Sequence, residues 1–234
     1  MKLFEITIQY HEKLNPKLWD NFKLKDEVKT QLFKIANEFV EFLAIDNSYI
    51  KNLILTGSNC NYNWTSNSDL DLHIVIDYDA FQKECNVVDI ETLFNDKKSL
   101  WNETHDITIY DIPVELYVQS NLKSSSKDGV VYSVMNDSWI SYPKKYKDVK
   151  IDNEMINKIY NTIKSKIEDC IKSKDKDAIN KLKSDISDLR QKALETDGEF
   201  ATFNLAYKKL RKNKIMQKLW DASIDIQDKE LSLG

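Results

Sequence analysis

Apolar and polar positions change their period several times along the chain, and each change marks an element. From 26 to 44, Leu32, Ile35, Ala36, Phe39, Val40 and Leu43 recur at helical spacing with charges between them, which predicts an amphipathic helix. Leu53-Ile54-Leu55 is too short an apolar run for a helix and ends at Gly57, so it reads as a strand. Leu70, Leu72, Ile74 and Ile76 then occupy alternate positions, the period of a half-buried strand. Residues 79 to 103 read as helix in two pieces. "ITIYDIPVELYVQ" (107 to 119) reads as two strands joined by a tight turn, with Pro113 at a strand start, where a missing donor is tolerated. "SNLKSSSKDG" (120 to 129) is polar and small, hence a loop, and "VVYSV" (130 to 134) is a further short strand.

After Pro143 the pattern becomes wholly helical. Ile156, Ile159, Ile163 and Ile167 stripe one helix at 153 to 172. Ile179, Leu182, Ile186 and Leu189 stripe a second at 176 to 195, and a third follows Gly198 at 201 to 219. The expected fold is α+β: a mixed β-sheet with flanking helices in residues 1–148, then an all-helical C-terminal lobe in 149–234.

Composition narrows this picture. The 234 residues are 41% hydrophobic and 31% charged, the profile of a globular protein able to bury a core. A net charge of −4 excludes a global basic field, so contact with nucleic acid would need a local patch. Cys60, Cys85 and Cys170 are scattered, which argues against a disulfide framework or zinc ribbon and for a reducing compartment. The N-terminal stretch lacks the apolar core of a signal peptide, and no apolar run approaches the roughly 20 residues of a membrane helix. A cytoplasmic location is expected.

The candidate chemistry lies in "LTGSNCNYNWTSNSDLDLHIVID", residues 55 to 77. Successive strand side chains point to opposite faces, so Asp69, Asp71 and His73 share one face while the leucines and isoleucines bury on the other. Two bare carboxylates about 7 Å or less apart repel, an arrangement that suits a divalent cation, and hard oxygen ligands select Mg²⁺ or Mn²⁺. Upstream, one of only four glycines ends the first strand as Gly57-Ser58, a turn whose backbone N–H groups and hydroxyl are suited to phosphate oxygens. Taken separately, an acidic pair on a wet strand face and a Gly-Ser turn are both ordinary surface features. Their combination carries the signal.

"LTGS" followed by "SDLDLHIVID" resembles the signature of the nucleotidyltransferase superfamily, the polymerase-beta-like group that includes tRNA CCA-adding enzymes, poly(A) polymerases and antibiotic nucleotidyltransferases. "HEKLNPKLWD", "VYSVMNDSWISYP" and "NLAYKKLRKNK" extend the likeness to a compact class encoded by bacteriophages, for which the host cytoplasm is implied. The resemblance implies a nucleotidyltransferase-type sheet. It also implies that Gly57 and Ser58 grip the triphosphate of an NTP such as ATP, that Asp69 and Asp71 bind two divalent metals, and that a third carboxylate follows inside an apolar strand. Glu115, in "PVELYV", stands where that third acid belongs, with Asp106 and Asp111 as rivals at strand ends, where acids are ordinary turn residues. The implied reaction is in-line transfer of a nucleoside monophosphate to an acceptor hydroxyl, most simply an RNA 3′ end. Protein, small-molecule or nucleotide acceptors, and a catalytically silent nucleotide binder, are the alternatives.

The chain also departs from that family. "NCNYNWTSN" replaces the usual Arg-rich or Gly-rich stretch after Gly-Ser, so substrate choice is expected to be partly written there. The base-choosing arginines of CCA-adding enzymes are not visible. Residues 200 to 220 hold Lys208, Lys209, Arg211, Lys212, Lys214 and Lys218 with no acid, a basic stripe suited to a triphosphate or an RNA backbone, or simply a solvated face. Lys208 and Arg211 are the nucleotide-binding candidates within it. Tyr207 and Trp64 are each suited to base stacking or to core packing. His73 reads as a polar strand residue or a general base, and His11 and His105 have no evident partners.

Overall fold

The computed structural model describes residues 11–66, 68–123, 129–145 and 151–233. These fall into two compact units, 11–123 with 129–145, and 151–233. The boundary expected near 148, residues 124–128 of the loop at 120 to 129 and the N-terminal ten residues lie outside the described residues.

The first unit runs β1 (Trp19–Asp20), β2 (Lys23–Leu24), α1 (Asp26–Leu43), β3 (Ile50–Thr56), β4 (Leu70–Ile76), α2 (Tyr78–Cys85), α3 (Ile90–Thr104), β5 (Thr108–Ile109), β6 (Ile112–Gln119), β7 (Val131–Ser133) and β8 (Ser138–Ser141). It is mixed α and β. Strands β1 and β2 pair alone, and the other six form one mixed sheet in the order β5-β6-β4-β3-β7-β8. All sheet neighbours are antiparallel except β4 and β6, which run parallel with α2 and α3 in the connection between them.

One face of this sheet is dry. Leu53, Leu55, Leu70, Leu72, Ile74, Ile76 and Leu116 bury there with Leu32, Phe39 and Leu43 of α1 and Phe94 and Trp101 of α3. Each such aliphatic side chain contributes roughly 1.5–3 kcal/mol by leaving water. The alternation legible at 70 to 76 therefore corresponds to a real division of faces, and it leaves Asp71 and His73 on the side away from this core. Helix starts are chemically specified: Asp77 and Asp89 accept from the Ala80 and Thr92 amides at the starts of α2 and α3. The β5–β6 turn is two residues, Tyr110 and Asp111, both at positive φ (51° and 65°), the hairpin geometry that matches strand twist.

The second unit contains α4 (Asn153–Ser173), α5 (Lys176–Asp197), α6 (Thr202–Lys212) and α7 (Ile215–Leu231) around Ile163, Ile167, Ile179, Ile186, Tyr207, Leu210, Ile215, Met216 and Leu219. Two expectations are corrected here. The single helix at 201 to 219 is broken at Asn213–Lys214, where Lys214 takes φ 56°. The reason is phase: an apolar face through Ala206, Tyr207 and Leu210 continues at 213, 214 and 217, whereas the buried positions are Ile215, Met216 and Leu219. The turn brings them back inward. Leu189, placed in the apolar stripe of the second helix, is 51% exposed, and Leu194 buries instead. Among the described residues no helix is long and apolar enough to cross a membrane.

Candidate metal centre

Asp69, Asp71 and Glu115 come together because β4 and β6 are parallel and in register. Asp71 lies opposite Glu115, with Leu70 opposite Val114 and Leu72 opposite Leu116. Neighbouring strands stand about 4.8 Å apart, so cross-strand partners on one face must face each other closely. Asp69 enters from the residue before β4. One carboxylate oxygen from each acid lies within 4.8 Å of the others, and all three residues are half-buried. Among the described residues, no other group of three or more His, Cys, Asp or Glu side chains is so arranged. The rivals are elsewhere: Asp106 is exposed, and Asp111 sits in the hairpin turn 3.9 Å from Lys17.

At an effective dielectric near 20, each pair of charges at this separation repels by on the order of 3 kcal/mol. The hydroxyl of Tyr117 donates to Glu115 Oε2 at 2.5 Å. Such a bond to a charged group contributes about 1.5–3 kcal/mol. A hard, oxygen-seeking divalent cation fits this donor set.

The upstream turn is built against the same carboxylates. Thr56 ends β3 opposite Asp71. Gly57 follows at φ 78°, and a Cβ there would meet Asp71 Oδ2 at 1.9 Å. Its hydrogen therefore serves two ends, a backbone conformation costly for other residues and the space the Asp71 carboxylate occupies. A 3₁₀ turn, Ser58–Cys60, comes next. Ser58 Oγ donates to Ser68 Oγ at 2.7 Å, and Ser68 Oγ accepts from the Thr65 amide at 2.9 Å. The motif's two halves are thus tied directly together.

Asn59 is one residue that sequence reading missed. It is fully buried, its Nδ2 donates to the Asp69 carbonyl at 2.8 Å, and its Oδ1 accepts from Asn15 Nδ2 at 2.8 Å. Its own carbonyl accepts from Trp19 Nε1 at 2.8 Å. Asn61, Tyr62 and Asn63 are buried too. Within the stretch expected to bear on substrate choice, Asn59 thus bonds across the loop and Asn61 Oδ1 accepts from the Tyr62 amide at 2.9 Å. Asn102 of α3 was also missed. It brackets Leu116, donating to its carbonyl (2.9 Å) and accepting from its amide (3.0 Å), on the residue after Glu115. Only the fold brings residues so far apart in the chain together.

His73 stacks on Tyr117 with ring centres 4.6 Å apart and shares a 3.1 Å hydrogen bond with Thr56 Oγ1. Burial pushes it down to about 4, against a smaller opposing pull from Gln119, so it is neutral at neutral pH. Burial first, then the charges of Asp71 and Glu115, push the Tyr117 phenol well up and keep it a donor. The Lys98 ammonium stands 4.8 Å from the Tyr117 ring centre.

The remaining candidates find local partners. His11 stacks on Trp64 at 3.7 Å, and Trp64 Nε1 donates to the Lys13 carbonyl. His105 stacks on Trp101 at 3.8 Å. Both histidines thus have partners that their sequence context did not reveal. In the helical unit Lys208 pairs with Glu199 at 2.9 Å, Lys209 bonds Asn157 and covers Tyr160, and Arg211 lies exposed in the last turn of α6. Tyr207 packs in the core under the Arg190 guanidinium. Neither protein-family models, nor curated proteins, nor solved structures gave a match to this chain.

Proposed function

We propose that the first unit is a metal-dependent nucleotidyltransferase, with a nucleotidyltransferase-type sheet, that moves a nucleoside monophosphate from an NTP to an acceptor hydroxyl, most simply an RNA 3′ end. The observation that supports this reading is the convergence of Asp69, Asp71 and Glu115 beside a Gly-Ser turn packed onto one of those acids. Asp69, Asp71 and Glu115 would hold two Mg²⁺ or Mn²⁺ ions. When bound, those ions supply positive charge that makes the acceptor hydroxyl more acidic and offsets charge on the leaving pyrophosphate. Gly57 leaves room for Asp71 to face the site, and the turn after it offers backbone amides to the phosphates. Asn59 fixes the main chain at Asp69, and Asn102 fixes it beside Glu115. On the helical unit, Lys208 and Arg211 are candidates for phosphate or RNA contact, Lys208 by exchanging Glu199 for a phosphate.

The experiment offers each labelled NTP, with Mg²⁺ or Mn²⁺, to tRNA, oligonucleotides and cell extract, and asks what carries the label. Label on RNA 3′ ends is expected, abolished in Asp69→Ala, Asp71→Ala and Glu115→Ala. Label on protein or a small molecule would replace the acceptor. Undiminished incorporation in these variants, or none in the wild type, would sink the assignment.

A further inference from the structure

We propose that Tyr117 is a positioning residue for the carboxylate cluster: by donating its hydroxyl to Glu115 Oε2 it biases that carboxylate toward ligation through its other oxygen and tunes the site for a small divalent cation over a large one. This rests on the metal reading above and goes beyond it by assigning ion selectivity to a residue that is not a ligand.

Tyr117 follows Glu115 by two positions on β6, so both side chains leave the same face. Its hydroxyl reaches Oε2 at 2.5 Å, which leaves Oε1 as the freer oxygen. The ring that carries the hydroxyl is itself held. His73, its register partner on β4, stacks on it at 17° between planes, and Lys98 of α3 places its ammonium over the ring. His73 in turn is bonded to Thr56, the register partner of Asp71. Three adjacent strands thus supply a continuous chain of contacts, Thr56 to His73 to Tyr117 to Glu115.

The consequence lies in carboxylate denticity. Calcium accepts about six to eight oxygens and readily takes both from one carboxylate, whereas magnesium demands a near-octahedral shell at about 2.0–2.1 Å. A glutamate with one oxygen already accepting a hydrogen bond is biased toward single-oxygen ligation, which suits the second. Losing a partner that orients a ligand costs about 10–100-fold in metal affinity.

The full chain, stripped of metal, is titrated calorimetrically with Mg²⁺ and separately with Ca²⁺, as wild type, Tyr117→Phe, Glu115→Ala and the double variant. Phenylalanine keeps the ring against His73 and Lys98 and removes only the O–H, and metal-free unfolding temperatures verify that each variant is folded. Tyr117→Phe is expected to weaken Mg²⁺ binding about tenfold and Ca²⁺ binding less, moving the ratio of the two Kd values toward calcium. In the Glu115→Ala background it should move that ratio no further. A wild-type ratio in Tyr117→Phe, or an equal shift without Glu115, overturns the positioning role and leaves the metal reading standing. A wild type that takes neither ion overturns both. Should Tyr117→Phe not fold, Tyr117→Leu, which also removes the hydroxyl, is titrated in its place, and a wild-type ratio there overturns the proposal.

Discussion

Gly57 carries two constraints at a single atom. Its φ of 78° is costly for any residue with a side chain, and the Asp71 carboxylate occupies the place of a Cβ. Gly57→Ala must either distort the turn or expel Asp71. We expect it to cost about 1–3 kcal/mol in urea unfolding of the metal-free chain and to weaken divalent-ion binding. Unchanged values for both would contradict this account. That a scarce glycine matters was legible from the sequence. That it makes room for a carboxylate fourteen residues later was not, because two strands must pair before the two residues meet.

At the scale of elements, the site depends on the parallel pairing of β4 with β6 and on what holds β6 beyond its short pairing with β5. Asn102 satisfies the Leu116 amide and carbonyl there. Asn102→Ala leaves those groups without that partner, so a loss of about 1–3 kcal/mol is expected, with faster hydrogen exchange at the Leu116 amide. Unaltered exchange would show that the clamp is dispensable. The β7–β8 turn gives a pH test. The Tyr132 hydroxyl, and after burial's opposing effect Lys29 and Lys23, hold the Asp137 carboxyl below its ordinary 3.8. A depressed carboxylate stabilises the fold above its unfolded pKa, and that contribution is lost as the pH falls through the folded value. Urea titrations from pH 6 to about pH 2.5 should show a steeper acid loss for the wild type than for Asp137→Asn. Parallel acid limbs would refute the pairing.

At the scale of the molecule, Ile74 and Ile167 belong to separate hydrophobic clusters, one in each compact unit. Ile74→Val and Ile167→Val should each cost about 0.5–1.5 kcal/mol, and the double variant should equal their sum within about half a kcal/mol. A larger discrepancy in equilibrium unfolding would mean that the two cores are coupled. Periodicity revealed most elements here because burial on one side imposes a repeat of 2 or 3.6 on the residues themselves. It failed at 213–214 because the apolar phase slips there without any glycine or proline to mark it. It also missed β1, β2 and β8, which are too short for alternation to stand out.

The same division runs through the site. Local order determined the Gly-Ser turn, the face shared by Asp69, Asp71 and His73, and the acid within an apolar strand at Glu115, because alternation along a strand needs no other segment. Only the tertiary structure decided that β4 and β6 pair parallel and in register, bringing Asp71 beside Glu115. It likewise decided that Asn59 and Asn102 hold the flanking backbone and that Tyr117 engages a carboxylate. Those contacts join residues on different segments or depend on a rotamer chosen by neighbouring strands, and nothing in the order of residues along one segment specifies them.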